Sequence, residues 1–272
     1  MPELPEVEVT RRTINDALVG DRIESVELCT GRLRRSIDSA GLASCAGKTV
    51  RSTGRRGKHL LIHLSDGRCL LIHLGMSGSL RYTGPDHAGC CHEHIIWRLG
   101  GGCLVFRDPR RFGMVELVNG EELATHRTLS NLGPEPFDRG LLATHFIRLK
   151  QGRTLPVKHF IMDQRVVAGV GNIYASEALF RAGIHPTRRL HRIANRRLEV
   201  LAAEIAATIE DSIAHGATTL QDFRDGRGDP GRYQVRLQVY DRAGQPCQTC
   251  GTGIQRIVQA GRSTYFCPAC QR

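Results

Sequence analysis

Two cysteine pairs near the end of the chain limit its fold more than any other feature. Cys247-x-x-Cys250 and Cys267-x-x-Cys270 are separated by the sixteen residues 251–266. Each Cys-x-x-Cys turn offers two thiolates to one point, and two such turns complete a tetrahedral four-sulfur site of the zinc-ribbon kind. Two disulfides would also satisfy the spacing. However, no secretory leader pattern opens the sequence and no stretch is apolar enough to span a bilayer, which points to a reducing interior. The expected ligand is one structural Zn2+, because four cysteines leave no open position for chemistry. Between the pairs, Gly261-Arg262-Ser263-Thr264-Tyr265 reads as a hairpin presenting an arginine to whatever the finger touches.

Charge narrows the partner. Lys and Arg number 38 against 27 Asp and Glu, a formal net charge of +11, which suits a phosphate-rich surface through counterion release. A solvated basic face is the plainer alternative. Lysine is scarce, limited to Lys48, Lys58, Lys150 and Lys158, so each one raises the question of why arginine would not serve. The other six cysteines (Cys29, Cys45, Cys69, Cys90, Cys91 and Cys103) lie among strand-like segments and are expected as small buried thiols.

The chain opens Met1-Pro2-Glu3-Leu4-Pro5-Glu6. With Met1 removed, Pro2 becomes a secondary α-amine, a class that titrates near ~8 and is therefore partly neutral and nucleophilic at neutral pH. Glu3 stands beside it as an acid–base group. A helix is expected next, with Val7, Ile14 and Leu18 on one face and Gly20 ending it. An ordinary start followed by an acidic helix cap remains the bland reading of this stretch.

Residues 22–118 read as strands: Arg22–Cys29, His59–Leu64, Cys69–Leu74, His94–Leu99, Cys103–Arg107 and Met114–Val118. Their turn-punctuated spacing suggests an antiparallel sandwich or barrel. Three connecting segments are distinctive. Gly54-Arg55-Arg56-Gly57-Lys58 is a basic loop, either a phosphate contact or a solvated hairpin tip. Met76, between Gly75 and Gly78, is core filler or a wedge presented to a partner. Asp108-Pro109-Arg110-Arg111-Phe112-Gly113 places arginines and an aromatic on one turn, suited to base contact or to a buried Phe with surface arginines. Residues 131–138 read as a linker. Helices follow at Ile173–Arg181, with Asn172 as its N-cap, and at about 195–215, where Leu198, Leu201, Ile205, Ile209 and Ile213 share a face. Asp225–Gly231 reads as a mobile loop.

Taken together, the Met1–Glu8, Arg55–Lys58, His73–Leu80, Asp108–Gly113, Val170–Glu177 and Ala182–Pro186 segments and the terminal cysteines resemble the bacterial formamidopyrimidine-DNA glycosylases over essentially the whole chain. The resemblance implies an α+β multidomain fold. It comprises an N-terminal catalytic helix and β-sandwich at 1–130 and a linker at 131–138. A helix–two-turns–helix DNA-binding module at 139–235 and a zinc finger at 236–272 complete it. It implies a bifunctional enzyme that removes oxidised purines from double-stranded DNA and cuts the abasic strand, a monomer of the bacterial cytoplasm with no membrane partner. Pro2 would attack C1′ and form a Schiff base, with Glu3 as acid at the sugar. Lys58 would act in base release and β-elimination, and Arg262 in δ-elimination. His92, Arg153, Lys158 and Asn172 would contact DNA, and Met76, Arg110 and Phe112 would fill the gap left by the flipped nucleotide. His59, where the family often has Tyr, and Asp241, where Gly is usual, depart from the pattern. Two other readings stand beside it: an endonuclease-VIII-like enzyme for oxidised pyrimidines, and a zinc-finger protein that binds DNA without chemistry.

Overall fold

Leu60, Ile62 and Leu64 alternate along one strand and Ile95, Trp97 and Leu99 along another, and all six are buried in a single apolar core. Period-2 alternation of this kind gives a sheet one face to bury, so two sheets close on each other. In the computed structural model, which describes residues 1–218 and 224–272, the chain forms two compact units. The first contains Met1–Ser130 and Ile213–Gln234, the second Asn131–Ser212 and Val235–Arg272.

In the first unit, helix α1 (Leu4–Leu18) is followed by β1 (Ile23–Leu28), the short α2 (Ser39–Ala43), β2 (Val50–Arg56), β3 (His59–Leu64), β4 (Arg68–His73), β5 (Ser79–Thr83), β6 (Glu93–Leu99), β7 (Gly102–Arg107) and β8 (Met114–Asn119). One antiparallel sheet has the order β1-β6-β7-β5, the other β2-β3-β4-β8. Helix α1 packs on β2, β3 and β5 and sends Val7, Ile14 and Leu18 into the shared core. Six strands were expected from their apolar runs, and β2 and β5 were not. Gly54, Arg55 and Arg56, expected in a loop, belong to β2, and only Gly57 and Lys58 form the turn to β3.

The stretch Asp225–Gly231, expected as a mobile loop, is fastened at Gly226. Its N–H donates to Thr13 Oγ1 at 2.8 Å and its carbonyl accepts from Tyr82 N at 2.8 Å. A Cβ there would fall 2.3 Å from Ile14, so only glycine allows this approach. The expected helical span 139–235 is thus divided between the units at Ile213, and its residues 219–223 lie outside the described residues.

The second unit holds α3 (Arg139–Lys150), α4 (Val157–Met162), α5 (Asn172–Arg181), most of α6 (Asn195–Ala214) and the hairpin β9 (Gln255–Gln259)–β10 (Arg262–Phe266). Along α6, Leu198, Leu201, Ile205 and Ile209 are buried, as their spacing predicts. Residues 131–138 are tied in rather than loose: Gly133 N donates to Gln164 O, Pro134 O accepts from Ala168 N, and Asp138 caps α3. Glu177, fully buried on α5, accepts backbone N–H bonds from Gln238, Val239 and Tyr240 at 2.8–3.0 Å. Burial pushes its carboxyl upward, and the three bonds oppose that shift.

Candidate functional site

Pro2 is buried at the mouth of α1, while Met1 is 55% exposed. Glu3 is the N-cap residue: its side chain accepts from Glu6 N, and its own N–H donates to Glu6 Oε2 at 2.8 Å. This reciprocal capping box fixes both residues at the positive end of the helix. Glu6 Oε1 also accepts from Thr218 N at 3.0 Å, and Glu3 and Glu6 are each 2% exposed.

One turn further, Glu8 connects the helix to the Lys58 turn. Its carboxylate pairs with Arg11, Arg12 and Arg55, and Arg55 also donates to Gly57 O at 3.0 Å. Burial would push the Glu8 carboxyl up, but the hydrogen bonds from Arg11 and Arg12 and the surrounding positive charge hold it at about 2. Arg55, in the segment read as either a phosphate contact or a solvated hairpin tip, is therefore a structural cation whose side chain is 8% exposed. A charged carboxylate on α1 needs a partner, and Arg55 is placed to supply one. Lys58 itself is only 6% exposed. Beside it the His59 ring lies 4.9 Å from that of His73. Burial lowers His59 to about 4 and His73 to about 3, with the charge of nearby Lys58 acting in the same direction, so both are neutral at physiological pH. His73 Nδ1 accepts from Gly75 N at 2.9 Å, which leaves its proton on Nε2.

The Met76 and Arg110–Phe112 loops meet on a buried carboxylate. Asp108, 0% exposed, accepts from Ser77 Oγ at 2.6 Å, Gly113 N at 2.7 Å and Arg110 N at 3.3 Å. A Cβ on Gly75 would lie 2.5 Å from Gly113 N, so glycine is what lets the two loops touch. Met76 and Phe112 remain 44% and 43% exposed, and the Arg110 guanidinium stacks 5.0 Å from the centre of the Phe112 ring. Arg111 at φ +55 and His92 at φ +68 occupy the left-handed region, a strain that side chains other than glycine adopt at some cost. His92 is exposed, and its carbonyl accepts from Asp108 N at 3.0 Å.

In the second unit, Lys158, Asn172 and Arg262 line one open cavity of about 270 Å³. Lys158 is 1% exposed and donates to Asn172 Oδ1 at 2.7 Å, Thr264 Oγ1 at 2.7 Å and Ser263 O at 3.4 Å. An ammonium has three donors, and through them this lysine ties α4 and α5 to the hairpin beside Arg262. Asn172, expected as the N-cap, is the first helical residue; Gly171 is the cap. The Asn172 amide turns away from its own helix and donates to Ser263 O at 3.0 Å. Arg262 is exposed at the start of β10, after a turn in which Ala260 (φ +47) and Gly261 (φ +73) are both left-handed. Arg153 sits apart from the cavity lining, over the Phe160 ring at 5.8 Å.

The sulfur atoms of Cys247, Cys250, Cys267 and Cys270 lie within 4.8 Å of one another, with Cys247–Cys270 at 3.9 Å and Cys250–Cys267 at 3.5 Å. A tetrahedron of metal–sulfur bonds of ~2.3 Å has edges of about 3.8 Å, so the cluster fits a four-coordinate ion, and all four cysteines are free of disulfides. Hydrogen bonding from Thr252 holds Cys250 down at about 6, whereas Cys270, hydrogen-bonded to Cys250, is pushed up to about 12. Four thiolates this close require a cation to ionise together. Of the other six cysteines, Cys45, Cys69 and Cys103 are buried as expected. Cys29, Cys90 and Cys91 are exposed, because they fall in turns rather than on inward strand positions.

Glu6, Asp108 and Glu177 were not singled out as organisers of this architecture. The Glu3-x-x-Glu6 spacing is a readable capping-box signal. Glu177 carries none, since its partners lie 61–63 positions away, whereas Asp108 takes two N–H groups from its own turn and only Ser77 from a distant segment.

Residues 1–115 match the formamidopyrimidine-DNA glycosylase N-terminal domain family, residues 132–224 its H2TH domain, and residues 244–272 a zinc finger found in FPG and IleRS. A formamidopyrimidine-DNA glycosylase of Methylococcus capsulatus is 47% identical over the full length of both chains. Among solved structures, a Lactococcus lactis FPG variant bound to Fapy-dG-containing DNA superposes with a TM-score of 0.91 at 32% identity, covering 100% of both chains. The wild-type L. lactis enzyme, in complex with DNA containing an oxidised pyrimidine, gives 0.90 at 33% identity, again over 100% of both chains.

Proposed function

The chain belongs to the formamidopyrimidine-DNA glycosylase family, and from that membership we propose that it excises 8-oxoguanine and formamidopyrimidines from duplex DNA and cleaves the abasic strand by β,δ-elimination through a Pro2 Schiff base. It is a base excision repair enzyme, a DNA glycosylase with abasic-site lyase activity. The observation that carries the mechanism is the buried Pro2–Glu3 pair fixed by the capping box at the α1 N-terminus.

With Met1 removed, the Pro2 nitrogen attacks C1′ and the damaged base departs with the glycosidic electron pair. Glu3 protonates the ring oxygen as the sugar opens to the iminium. That cation acidifies C2′, so loss of a C2′ proton breaks the C3′–O bond, and a second elimination breaks C5′–O. Lys58, on the turn held by Arg55 and Gly57, acts in base release and the first elimination, and Arg262 acts in the second while gripping phosphate. Asn172 completes that phosphate contact, and His92 and Arg153 add contacts along the backbone. Lys158 serves DNA binding by fixing Asn172 and the hairpin. Met76, Phe112 and Arg110 occupy the gap left by extrusion, the apolar pair offsetting lost stacking. The four cysteines hold one Zn2+, which supplies no chemistry and secures the hairpin. The enzyme acts as a monomer on DNA in the bacterial cytoplasm.

A test follows from the intermediate. Borohydride added during turnover of an 8-oxoguanine duplex is expected to trap DNA on the N-terminal peptide at Pro2, and protein retaining Met1 is expected to show no adduct. Trapping on Lys58 would overturn the assignment. Oxidised pyrimidines are a second substrate class to assay in parallel, because the L. lactis neighbour was solved on such DNA.

A further inference from the structure

Cys90 and Cys91 are adjacent, exposed and outside any disulfide. Their backbone is held while their side chains face solvent. Cys90 N donates to Glu93 Oε2 at 2.7 Å, and Glu93, 4% exposed, also bonds His87 Nε2 at 2.8 Å. Cys91 O accepts from Arg107 Nε at 3.3 Å. The next residue, His92, is left-handed, and its carbonyl accepts the N–H of Asp108, the carboxylate that organises the Arg110–Phe112 turn. Among the described residues only the four finger cysteines are already gathered as a multidentate cluster. Cys90–Cys91 thus offers two neighbouring sulfurs that are not part of a preformed group of three or more ligands. That suits a soft centre needing two thiolates better than one needing a closed tetrahedron.

We propose that Cys90 and Cys91 form a two-thiol site for organic trivalent arsenicals, and that filling it disables the DNA-contacting turn at His92. With an arsenoso compound, the arsenic–oxygen double bond breaks, each thiol gives up its proton, and two arsenic–sulfur bonds form. The oxygen leaves as water, and arsenic keeps its oxidation state. Closing the ring draws both sulfurs to one side of the turn, which pulls on the His92 carbonyl and, through Asp108 N, on the Arg110–Phe112 turn.

The second half of the proposal rests on the DNA-binding reading given above, so the test separates the two. Full-length zinc-loaded protein and its Cys90→Ser/Cys91→Ser double variant are treated with phenylarsine oxide. Intact mass, zinc content and affinity for a duplex bearing an abasic-site analogue are then measured. The expected result is one phenylarsenic group per wild-type chain with zinc retained, none on the variant, and affinity reduced by about tenfold or more in the wild type alone. Addition of 2,3-dimercaptopropanol should restore binding, since it competes with two thiols at once. Equal labelling of both proteins would place the reaction away from Cys90 and Cys91, and labelling accompanied by zinc loss would place it on the finger; either result would overturn the site. Stoichiometric labelling with unchanged affinity would overturn its link to the His92 turn. Mass readout does not depend on glycosylase activity, and failure of the untreated protein to incise damaged DNA, alongside labelling of the treated protein, would count against the functional reading alone.

Discussion

In the first unit the side chains that hold the site are acids: Glu6 and Glu8 on helix α1 and Asp108 beneath the Met76 and Arg110–Phe112 loops. In the second unit a cation, Lys158, and a ring of four sulfurs do the same for Arg262. The acids are satisfied by protein groups of the same unit, so the first site is complete once that unit, including its late segment Ile213–Gln234, has folded. The sulfur ring is complete only with its ion. Precision near Pro2 is thus a property of packing, whereas precision near Arg262 is conditional on a ligand.

Stripping the metal should expose this difference most strongly. Structural zinc contributes on the order of 10–16 kcal/mol of local folding energy, so chelation should unfold the β9–β10 hairpin and release Arg262. DNA affinity should drop steeply while the sandwich melts as before. Circular dichroism melting with fluorescence anisotropy on the zinc-free protein checks this, and undiminished incision by demonstrably zinc-free protein would contradict it.

Mild acid should sharpen the contrast from the other side. His59 is held at about 4 in the fold, chiefly by burial, below the ordinary 6.5. The unfolded chain takes up that proton as pH falls through 6.5, while the folded one does not until about 4, so stability is lost across this window. Between pH 7 and pH 5 the loss from one such histidine is about 2 kcal/mol. Urea unfolding of the first unit should show a correspondingly shallower pH dependence for His59→Phe than for wild type. Equal slopes would mean the imidazole protonates in place.

The smallest effect concerns Arg110. Its guanidinium only donates, matching O2 and N3 of an opposite cytosine, while adenine turns its N6 amino donor toward it. A bidentate contact worth ~1–3 kcal/mol predicts roughly tenfold or greater preference for 8-oxoguanine opposite C over A. Single-turnover incision by Arg110→Ala should lose that preference. If it persists, the left-handed Arg111 becomes the reader of the partner base.

Sequence periodicity carried much of this fold, for stated reasons. His59–Leu64 and the α6 face are legible because burial on one side imposes period 2 or 3.6 on their apolar residues. β2 escaped because its Gly54-Arg55-Arg56 end is polar, and it is polar because Arg55 answers Glu8 across 47 residues. The Pro2–Glu3 start and the cysteine spacing were readable because their chemistry is local. Lys158 was visible as a scarce lysine but not as a buried one, since its acceptors Ser263 and Thr264 lie more than a hundred positions away. Glu177 looks like a surface acid until distant backbone N–H groups close on it, and Asp108 until Ser77 joins the N–H groups of its own turn.

The bond from Thr218 to Glu6 and the bond from Gly226 to Thr13 join residues 212 and 213 positions apart. Synthesis runs from the N-terminus, so helix α1 emerges long before the two segments that supply these partners. Such long-range closure is slow compared with local helix formation. The β-sandwich can collapse early around its own core, but α1 waits with Glu6 incompletely paired until the late segment arrives. Products released before that point would carry Pro2 without the full set of bonds that holds its helix, so α1 is fully held only once Thr218 and Gly226 have been made.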